Sequence, residues 1–257
     1  MPVRILAIGD IVAKSGLSFL SDRLRSIKKA YSIDFTIVNG ENAANIGITP
    51  NQAEDIFASG ADVITLGNHT FNKKEICDYL DDCPYLLRPA NYAPQVPGRG
   101  WGVYEAAFGE VCVINLIGRC TMPFGPDNPF LAVDRILADT SCRFVLADMH
   151  AEATSEKLAM GYYLDGRISA VWGTHTHVQT SDGCVLPKGT GYITDLGMTG
   201  PSLSVLGVKA EQSISMFLGN PHHRYEAAGG ACKMECAVFT LDEKTGLCLS
   251  VETMRIT

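Results

Sequence analysis

One stretch of the chain reads Ile168-Ser169-Ala170-Val171-Trp172-Gly173-Thr174-His175-Thr176-His177. Its apolar first half is typical of a buried β-strand, and its two histidines follow where that strand ends. Imidazoles one residue apart can both face a metal site only if the backbone bends, and we expect Gly173 to supply the freedom to bend. This stretch therefore predicts a metal site at the end of a buried strand.

Other strand-like runs of the chain are also followed by polar side chains. The apolar runs are Val3 to Ile8, Asp34 to Val38, Ala61 to Leu66 and Arg143 to Ala147. Because ligands of open α/β sheets bind outside the carboxyl ends of the strands, we expect these side chains to converge. The groups that follow the five runs and offer nitrogen or oxygen ligand atoms are Asp10, Glu41, Asn42, Asn68, His69, His150, His175 and His177.

The chemistry of these groups narrows the choice of metal ion. Imidazole, carboxylate and amide ligands without a thiolate suit Mn, Fe or Zn better than copper or an iron–sulfur cluster. A site with two metal ions needs about this many ligands. Taken singly, Asp10 is a turn former or helix cap, Asn68 a turn residue and His150 a hydrogen-bonded core histidine. Their joint occurrence in this order favours the metal site, whereas we expect the adjacent His222 and His223 to be exposed.

The segments between the runs carry helix signals. Apolar residues recur at helical spacing from Leu17 to Ile27, and Thr49-Pro50-Asn51-Gln52 has the pattern of a capping box with proline at the first helical position. From Tyr85 onwards the strands are shorter, and some follow one another without a helix between them. These patterns predict an α/β protein in which residues 1–257 form a single domain.

Composition excludes several classes of protein. No apolar run reaches the roughly 18 residues of a membrane-spanning helix, and Asp10 interrupts the N-terminal run before a signal peptide can form. The net charge of −7, without a block of Lys or Arg, argues against a nucleic-acid polymer as the partner, although a local positive site could hold a small phosphate ester. The nine cysteines lack zinc-type CxxC pairs. We therefore expect reduced thiols and a cytoplasmic protein that does not interact with membranes.

The polar motifs at the strand ends together resemble the motif set of the calcineurin-like metallophosphoesterases. In chain order the motifs are Gly9-Asp10, Asn39-Gly40-Glu41-Asn42, Gly67-Asn68-His69, His150 and Gly173-Thr174-His175-Thr176-His177. Over almost the full chain, including the segment from His150 to Lys157, the sequence is similar to the YmdB-like branch of bacterial phosphodiesterases. Two departures from the wider superfamily are shared with this branch: Asp10-Ile11-Val12 lacks the usual histidine, and Glu41 replaces the usual bridging aspartate.

The resemblance implies a fold and a set of ligands. The implied fold is a two-sheet β-sandwich flanked by helices. In the YmdB-like branch the asparagine after the glutamate serves as a replacement ligand, a role that falls to Asn42. One metal ion is then held by Asp10, Glu41, Asn42 and His177. The other is held by Glu41, Asn68, His150 and His175, with Glu41 bridging and His69 acting as the catalytic acid.

The same resemblance implies a phosphodiesterase with two divalent metal ions, either Fe or Mn, with Zn as a further candidate. A hydroxide that bridges the ions would attack the phosphorus in line, and His69 would protonate the departing oxygen. Two divalent ions, the carboxylates of Asp10 and Glu41 and the hydroxide leave about one positive charge, which suits a singly charged diester. The implied substrates are 2',3'-cyclic nucleotides.

Several alternatives remain open from the sequence. Arg88, Asn91 and Arg119 are candidates to neutralise or orient the ester, although a structural or surface role is the stronger expectation for each. Asp148 and Glu152 are expected to contact metal ligands or the surface. The same metals could serve a phosphomonoesterase or protein phosphatase, and the missing histidine of the first motif leaves room for a low-turnover regulatory protein that binds a nucleotide or RNA. The branch also implies self-association into a homo-oligomer.

Overall fold

The computed structural model describes residues 2–220 and 225–257, so His222 and His223 lie outside the described residues. In the described part the strands are β1 (Val3–Ile8), β2 (Asp10–Ile11), β3 (Phe35–Asn39), β4 (Val63–Thr65), β5 (Leu86–Leu87), β6 (Trp101–Ala106), β7 (Gly109–Ile117), β8 (Phe144–His150), β9 (Ala170–Thr174), β10 (Cys184–Val185), β11 (Gly191–Ile193), β12 (Met198–Pro201), β13 (Cys232–Leu241) and β14 (Cys248–Ile256). The helices are α1 (Ala13–Ala30), α2 (Pro50–Ser59), α3 (Ile76–Asp82), α4 (Pro129–Asp139), α5 (Thr154–Leu164) and α6 (Ala210–Phe217).

These strands form two β-sheets. The first has the order β2-β12-β13-β1-β3-β4-β5, with β14 paired to β13, and the second has the order β10-β11-β9-β8-β7-β6. In the first sheet β1, β3 and β4 are parallel neighbours, so their carboxyl ends meet at one edge. In the second sheet β8 and β9 are parallel, and His150 lies opposite Thr174. The strand ends singled out by the sequence therefore emerge side by side within each sheet.

Alternation along β1 shows how the layers form. Ile5 belongs to the apolar core between the sheets, together with Trp172 and Phe239, whereas Leu6 packs on the opposite face with Leu20 of α1. Another core covers the outer face of the second sheet beneath α4 and α5. The layers run helix, sheet, sheet, helix, which confirms the α/β fold with a two-sheet β-sandwich flanked by helices.

Local signals determine which helices could be predicted. The capping box at the start of α2 is confirmed, since Thr49 accepts the backbone N–H of Gln52, and the helix ends at Gly60 with a φ of 116°. The short helices α3 and α6 were not predicted. Glu75 and Lys209, which precede them, make no side-chain capping bond, so neither helix has a recognisable start in the sequence.

Two further findings concern the chain as a whole. All nine cysteines are unpaired, and Cys112, Cys236 and Cys248 are buried. Among the described residues, no helix combines the length with the apolar character that crossing a bilayer requires.

Candidate metal centre

The strand ends bring the predicted ligands together across the two sheets. Asp10 starts β2, Glu41 and Asn42 follow β3, and Asn68 follows β4, while the second sheet contributes His150 at the end of β8. Glu41, His150 and His175 have ligand atoms that all lie within 4.8 Å of one another. Asp10, Glu41, Asn42, Asn68 and His150 are buried, whereas His69, His175 and His177 are partly exposed.

His150 lies at the centre of one group of ligand atoms. Its Nε2 is 2.9 Å from Oδ1 of Asn68, 3.1 Å from Oε1 of Glu41 and 3.1 Å from Nδ1 of His175. A single N–H on this ring could serve only one of those atoms, whereas a cation satisfies all of them. The geometry therefore fits a metal ion at this point.

The other ring nitrogen of His150 is held by a buried network. Its Nδ1 lies 2.9 Å from the hydroxyl of Thr174, which in turn donates to Oδ1 of Asp148 at 2.7 Å. Because the hydroxyl proton is directed at Asp148, the oxygen accepts the Nδ1 proton of His150. Asn39 and Thr65 donate to the second oxygen of Asp148. The network leaves the Nε2 lone pair of neutral His150 directed at the proposed ion.

A second group of ligand atoms surrounds Asp10. Its Oδ2 accepts the backbone N–H of His175 at 3.1 Å, but its buried Oδ1 has no hydrogen-bond partner. Nε2 of His177 is 3.7 Å from that oxygen. The side-chain amide nitrogen of Asn42 donates to Oε1 of Glu41 at 3.2 Å and lies 3.2 Å from Nε2 of His177. A buried carboxylate oxygen without a donor is costly, and a cation between these groups would remove that cost.

The two histidines reach the centre through an unusual backbone. His175 has a φ of 102° and His177 a φ of 63°, both in the left-handed region that side chains rarely adopt. The prediction that Gly173 supplies the bend is wrong, because Gly173 lies inside β9 without a positive φ. Glycine is required there by close packing: a Cβ atom would meet the carbonyl oxygen of Thr194 at 1.8 Å.

Contacts behind the loop stabilise this backbone. The Asp195 carboxylate accepts the N–H of Thr176 at 3.1 Å and also binds the ammonium of Lys157 at 2.6 Å. Lys157 and Asp195 are both about 1% exposed. On the solvent side, Nδ1 of His177 donates to the carbonyl oxygen of Leu206 at 3.0 Å. The strained loop is therefore fastened from both sides, as expected where strain serves a functional geometry.

The pKa values show which charges the site favours. Burial raises the pKa of Asp10 and Glu41, but the nearby imidazoles outweigh burial, so both carboxyl pKa values lie below the ordinary range. Burial lowers the pKa of His150 and His177, but Glu41 and Asp10, respectively, outweigh it; the pKa of His150 is raised, and that of His177 reaches about 9. Burial and the charge of His150 lower the pKa of His175 to about 4. Two ionised carboxylates thus attract positive charge to this site.

His69 lies at the opening of the centre. Its backbone N–H donates to Oε2 of Glu41 at 3.1 Å, and its ring Nε2 is 3.3 Å from the amide nitrogen of Asn68. A cavity of about 260 Å³ opens here. The cavity is lined by Glu41, Asn42, His69, Glu152, His175, Thr176, His177 and Leu206.

The structure does not bring Arg88, Asn91 or Arg119 to this cavity. The amide nitrogen of Asn91 donates to two backbone carbonyls, and its oxygen accepts the N–H of Ile117, so its polar atoms serve the fold. The guanidinium of Arg88 donates to the carbonyl of Pro89, and burial lowers its pKa. Arg119 borders a separate depression on the surface.

Sequence patterns revealed only some of the groups that contact the candidate ligands. Thr174 reads as an ordinary strand residue, and Lys157 as a solvated helix residue. Asp148 is fully buried and orients His150 through Thr174, while the half-exposed Glu152 has an oxygen 3.1 Å from Nε2 of His175. Asp148 and Glu152 thus contact the candidate ligands His150 and His175, the first through Thr174 and the second directly. Two other signals were available: a carboxylate two residues before His150, and a lone lysine in the apolar environment of α5.

Comparisons with known proteins point in one direction. A family model described as YmdB-like protein matches residues 6–254. The chain is 46% identical over 257 residues to a Bacillus subtilis (strain 168) protein named 2',3'-cyclic-nucleotide 2'-phosphodiesterase, covering 99% of this chain and 97% of that one.

Two solved structures are similar to the chain along its whole fold. One is a crystal structure of a hypothetical protein from Thermus thermophilus, with a TM-score of 0.91, 38% identity and coverage of 99% of this chain and 100% of that one. The other is a crystal structure of a Mycoplasma pneumoniae protein described as a novel phosphatase, with a TM-score of 0.94, 32% identity and coverage of 100% and 94%.

Proposed function

The chain belongs to the YmdB-like protein family, and from this premise we propose that it is a metal-dependent phosphodiesterase that hydrolyses 2',3'-cyclic nucleotides. The observation that carries the proposal is the convergence of acceptor atoms at one open cavity, some lining it and others buried behind it. Nε2 of His150 faces three of them, and Oδ1 of Asp10 is buried without a donor. Such a set is stabilised by bound cations, and the cavity gives a small ester access to them.

The chain's own residues divide into two ligand groups that share Glu41. Asp10, Asn42 and His177 surround one side of this carboxylate, and Asn68, His150 and His175 surround the other. Hard oxygen ligands combined with imidazole suit Fe or Mn, with Zn as the alternative. Divalent ions, when bound, lower the pKa of a water molecule and neutralise charge on the phosphoryl oxygens.

His69 is the residue that we assign as the acid. It lines the cavity without belonging to either ligand group. The Asn68 side-chain amide donates to Nε2 of His69, so neutral His69 carries its proton on Nδ1. Donation of a proton to the departing ester oxygen contributes roughly 10²–10⁴-fold to the rate. Asn68 thus orients the acid and also offers a ligand atom.

The choice of substrate follows from charge and from the relative's name. Two divalent ions, two carboxylates and the attacking hydroxide would leave about one positive charge, which matches a diester carrying one negative charge better than a polyphosphate. The named activity of the Bacillus subtilis relative supports a 2',3'-cyclic nucleotide. We also place the protein in the cytoplasm, a proposal supported by its nine unpaired cysteines.

The test combines metal analysis with a substrate screen. We expect the purified protein to contain Fe or Mn, to hydrolyse bis-p-nitrophenyl phosphate faster than the monoester, and to prefer 2',3'- over 3',5'-cyclic nucleotides. The variant His69→Gln should keep its metal and lose roughly 10²–10⁴-fold in turnover. A clear preference for the monoester would instead indicate a phosphomonoesterase. Binding of a cyclic nucleotide by the metal-loaded protein without turnover would indicate a regulatory protein.

A further inference from the structure

A second cavity opens directly beside the metal centre, and we call it the side cleft. Its volume is about 540 Å³, within the range of small-molecule sites. Asn42, His69, His177 and Leu206 line both this cleft and the cavity of the metal centre. The two cavities therefore adjoin, and a molecule whose phosphate lies at the metal centre is within reach of the side cleft.

The side cleft presents apolar and aromatic surface to solvent. Among its lining residues, Ile46 is 47% exposed, Leu206 48% and Tyr225 41%. The hydroxyl of Tyr225 donates to the sulfur of Met216, so the hydroxyl already has a hydrogen-bond partner. The face of the aromatic ring remains available to a ligand. Exposed apolar side chains in a cleft next to a polar site indicate a ligand with a flat or apolar part.

Leu206, one of these exposed residues, has a strained backbone conformation. Leu206 has a φ of 54°, in the left-handed region, while its carbonyl accepts a hydrogen bond from His177. The same residue thus orients a proposed metal ligand with its backbone and lines the side cleft with its side chain. Strain of this kind persists where the surrounding structure enforces it, commonly at ligand sites.

Two polar side chains that line the side cleft have no partner among the described residues. The ammonium of Lys73 and the side-chain amide of Asn45 have no hydrogen bond or ion pair with another described residue. Together they offer several N–H donors and one carbonyl acceptor. The edges of nucleobases carry carbonyl oxygens, ring nitrogens and N–H groups that match this set.

We propose that the side cleft binds the nucleobase of the substrate, with the base stacked on Tyr225 and its edge facing Asn45 and Lys73. The inference rests on the proposed function, because the phosphodiester must occupy the adjoining metal centre. Aromatic stacking accepts any base, since each has a π face. The protein should therefore distinguish a nucleotide from a base-free sugar phosphate more strongly than it distinguishes one base from another.

The test compares two cyclic phosphates that differ only in the base. Adenosine 2',3'-cyclic phosphate and methyl riboside 2',3'-cyclic phosphate are assayed with the metal-loaded enzyme, and kcat/KM is measured for each. We expect the nucleotide to be preferred by roughly 10-fold or more, mainly through KM. Tyr225→Ala should reduce this ratio towards one, and Tyr225→Phe should restore it because the ring is kept. Ile46→Ser, which removes another exposed apolar side chain from the lining of the cleft, should reduce the ratio in the same direction.

Two results would overturn the nucleobase site: equal kcat/KM for both substrates with the unmodified enzyme, or an unchanged ratio in both Tyr225→Ala and Ile46→Ser. If neither substrate is hydrolysed, the proposed function fails. Binding of adenosine 3'-monophosphate, measured by calorimetry, then tests separately whether the side cleft binds a nucleobase. Weaker binding by Tyr225→Ala than by Tyr225→Phe would still support the nucleobase site, and equal binding would refute it.

Discussion

Two regions surround the proposed ligands of the metal centre, and they differ in burial. We call the first the floor; it consists of Asn39, Thr65, Asp148, Thr174, Lys157 and Asp195. We call the second the rim; it consists of His69, Glu152, Leu206 and Tyr225. Every floor residue is buried, whereas the rim residues are partly or largely exposed. The floor therefore sets the positions of the ligands, and the rim is left to meet the substrate.

The floor is also part of the packing between the sheets. Asn39 of β3 and Thr65 of β4 belong to the first sheet, and both donate to Asp148 of β8 in the second. Because Asp148 orients His150 through Thr174, the geometry of the ligands depends on how the two sheets meet. Changes in the floor should therefore affect stability together with metal binding, and changes in the rim should affect catalysis with at most a small effect on metal binding and stability.

Glu41 belongs to both ligand groups, and its replacement should have the largest effect. Its Oε1 faces His150 and its Oε2 accepts the N–H of His69. Glu41→Gln keeps the shape and removes the charge that the two ligand groups share. Replacing an outer partner of a metal ligand costs roughly 10–100-fold, so loss of the shared ligand should cost about 10³-fold or more in turnover.

Metal content by mass spectrometry and steady-state hydrolysis of a 2',3'-cyclic nucleotide check this expectation. Glu110→Gln, an exposed glutamate at the start of β7, is the matched control and should behave like the unmodified protein. Full metal content with near-normal turnover in Glu41→Gln would contradict the shared-ligand assignment.

Lys157 and Asp195 provide the strongest test of the floor as a structural element. Lys157→Met leaves a buried carboxylate without its cation, which should lower the free energy of unfolding by about 3–5 kcal/mol. Urea-induced unfolding measures the loss. Lys188→Met, at an exposed position, is the control. The double variant Lys157→Met/Asp195→Asn should recover part of the stability, and an unchanged unfolding midpoint in the single variant would show that the pair contributes little.

The same division explains how much the sequence could predict. The predicted ligands converge because parallel strands end at a common edge, a rule that depends only on strand order. Apart from Asp148, the floor was not predicted, because its contacts join distant parts of the chain: Lys157 and Asp195 are 38 residues apart, and Asn39 and Asp148 are 109 apart. No local pattern marks a threonine such as Thr174 as the partner of a histidine on the neighbouring strand.

Thr174→Val tests whether the floor orients a ligand. The change removes the hydroxyl between His150 and Asp148 while keeping a side chain of similar shape. We expect metal affinity to fall by roughly 10–100-fold, because the tautomer and ring orientation of His150 lose their support. Thr190→Val is the control, since that buried hydroxyl donates to backbone carbonyls at Leu164 and Ile168.

Both threonine variants should lose about 1–3 kcal/mol of unfolding free energy, from the groups left without a partner. Only Thr174→Val should show a lower affinity for the metal in a chelator competition. Equal metal affinity in the two variants would mean that the floor supports the fold without orienting His150.

Glu152→Gln should have the smallest effect. It compares most directly a buried floor partner of a proposed ligand with an exposed rim partner. His150 and His175 each use one ring nitrogen towards the metal centre and the other towards an oxygen: Thr174 in the floor for His150, Glu152 in the rim for His175. The Glu152 side chain is 55% exposed, so water competes for its contact and salt screens its charge. We expect less than about a tenfold loss of metal affinity, and a change in stability within about 0.5 kcal/mol. The same chelator competition, repeated at low and high salt, measures both the loss and its screening. Glu152→Gln could instead lower the metal affinity as much as Thr174→Val does, independently of salt. In that case burial would not decide which partner sets the geometry of a ligand, and the division into floor and rim would have to be abandoned.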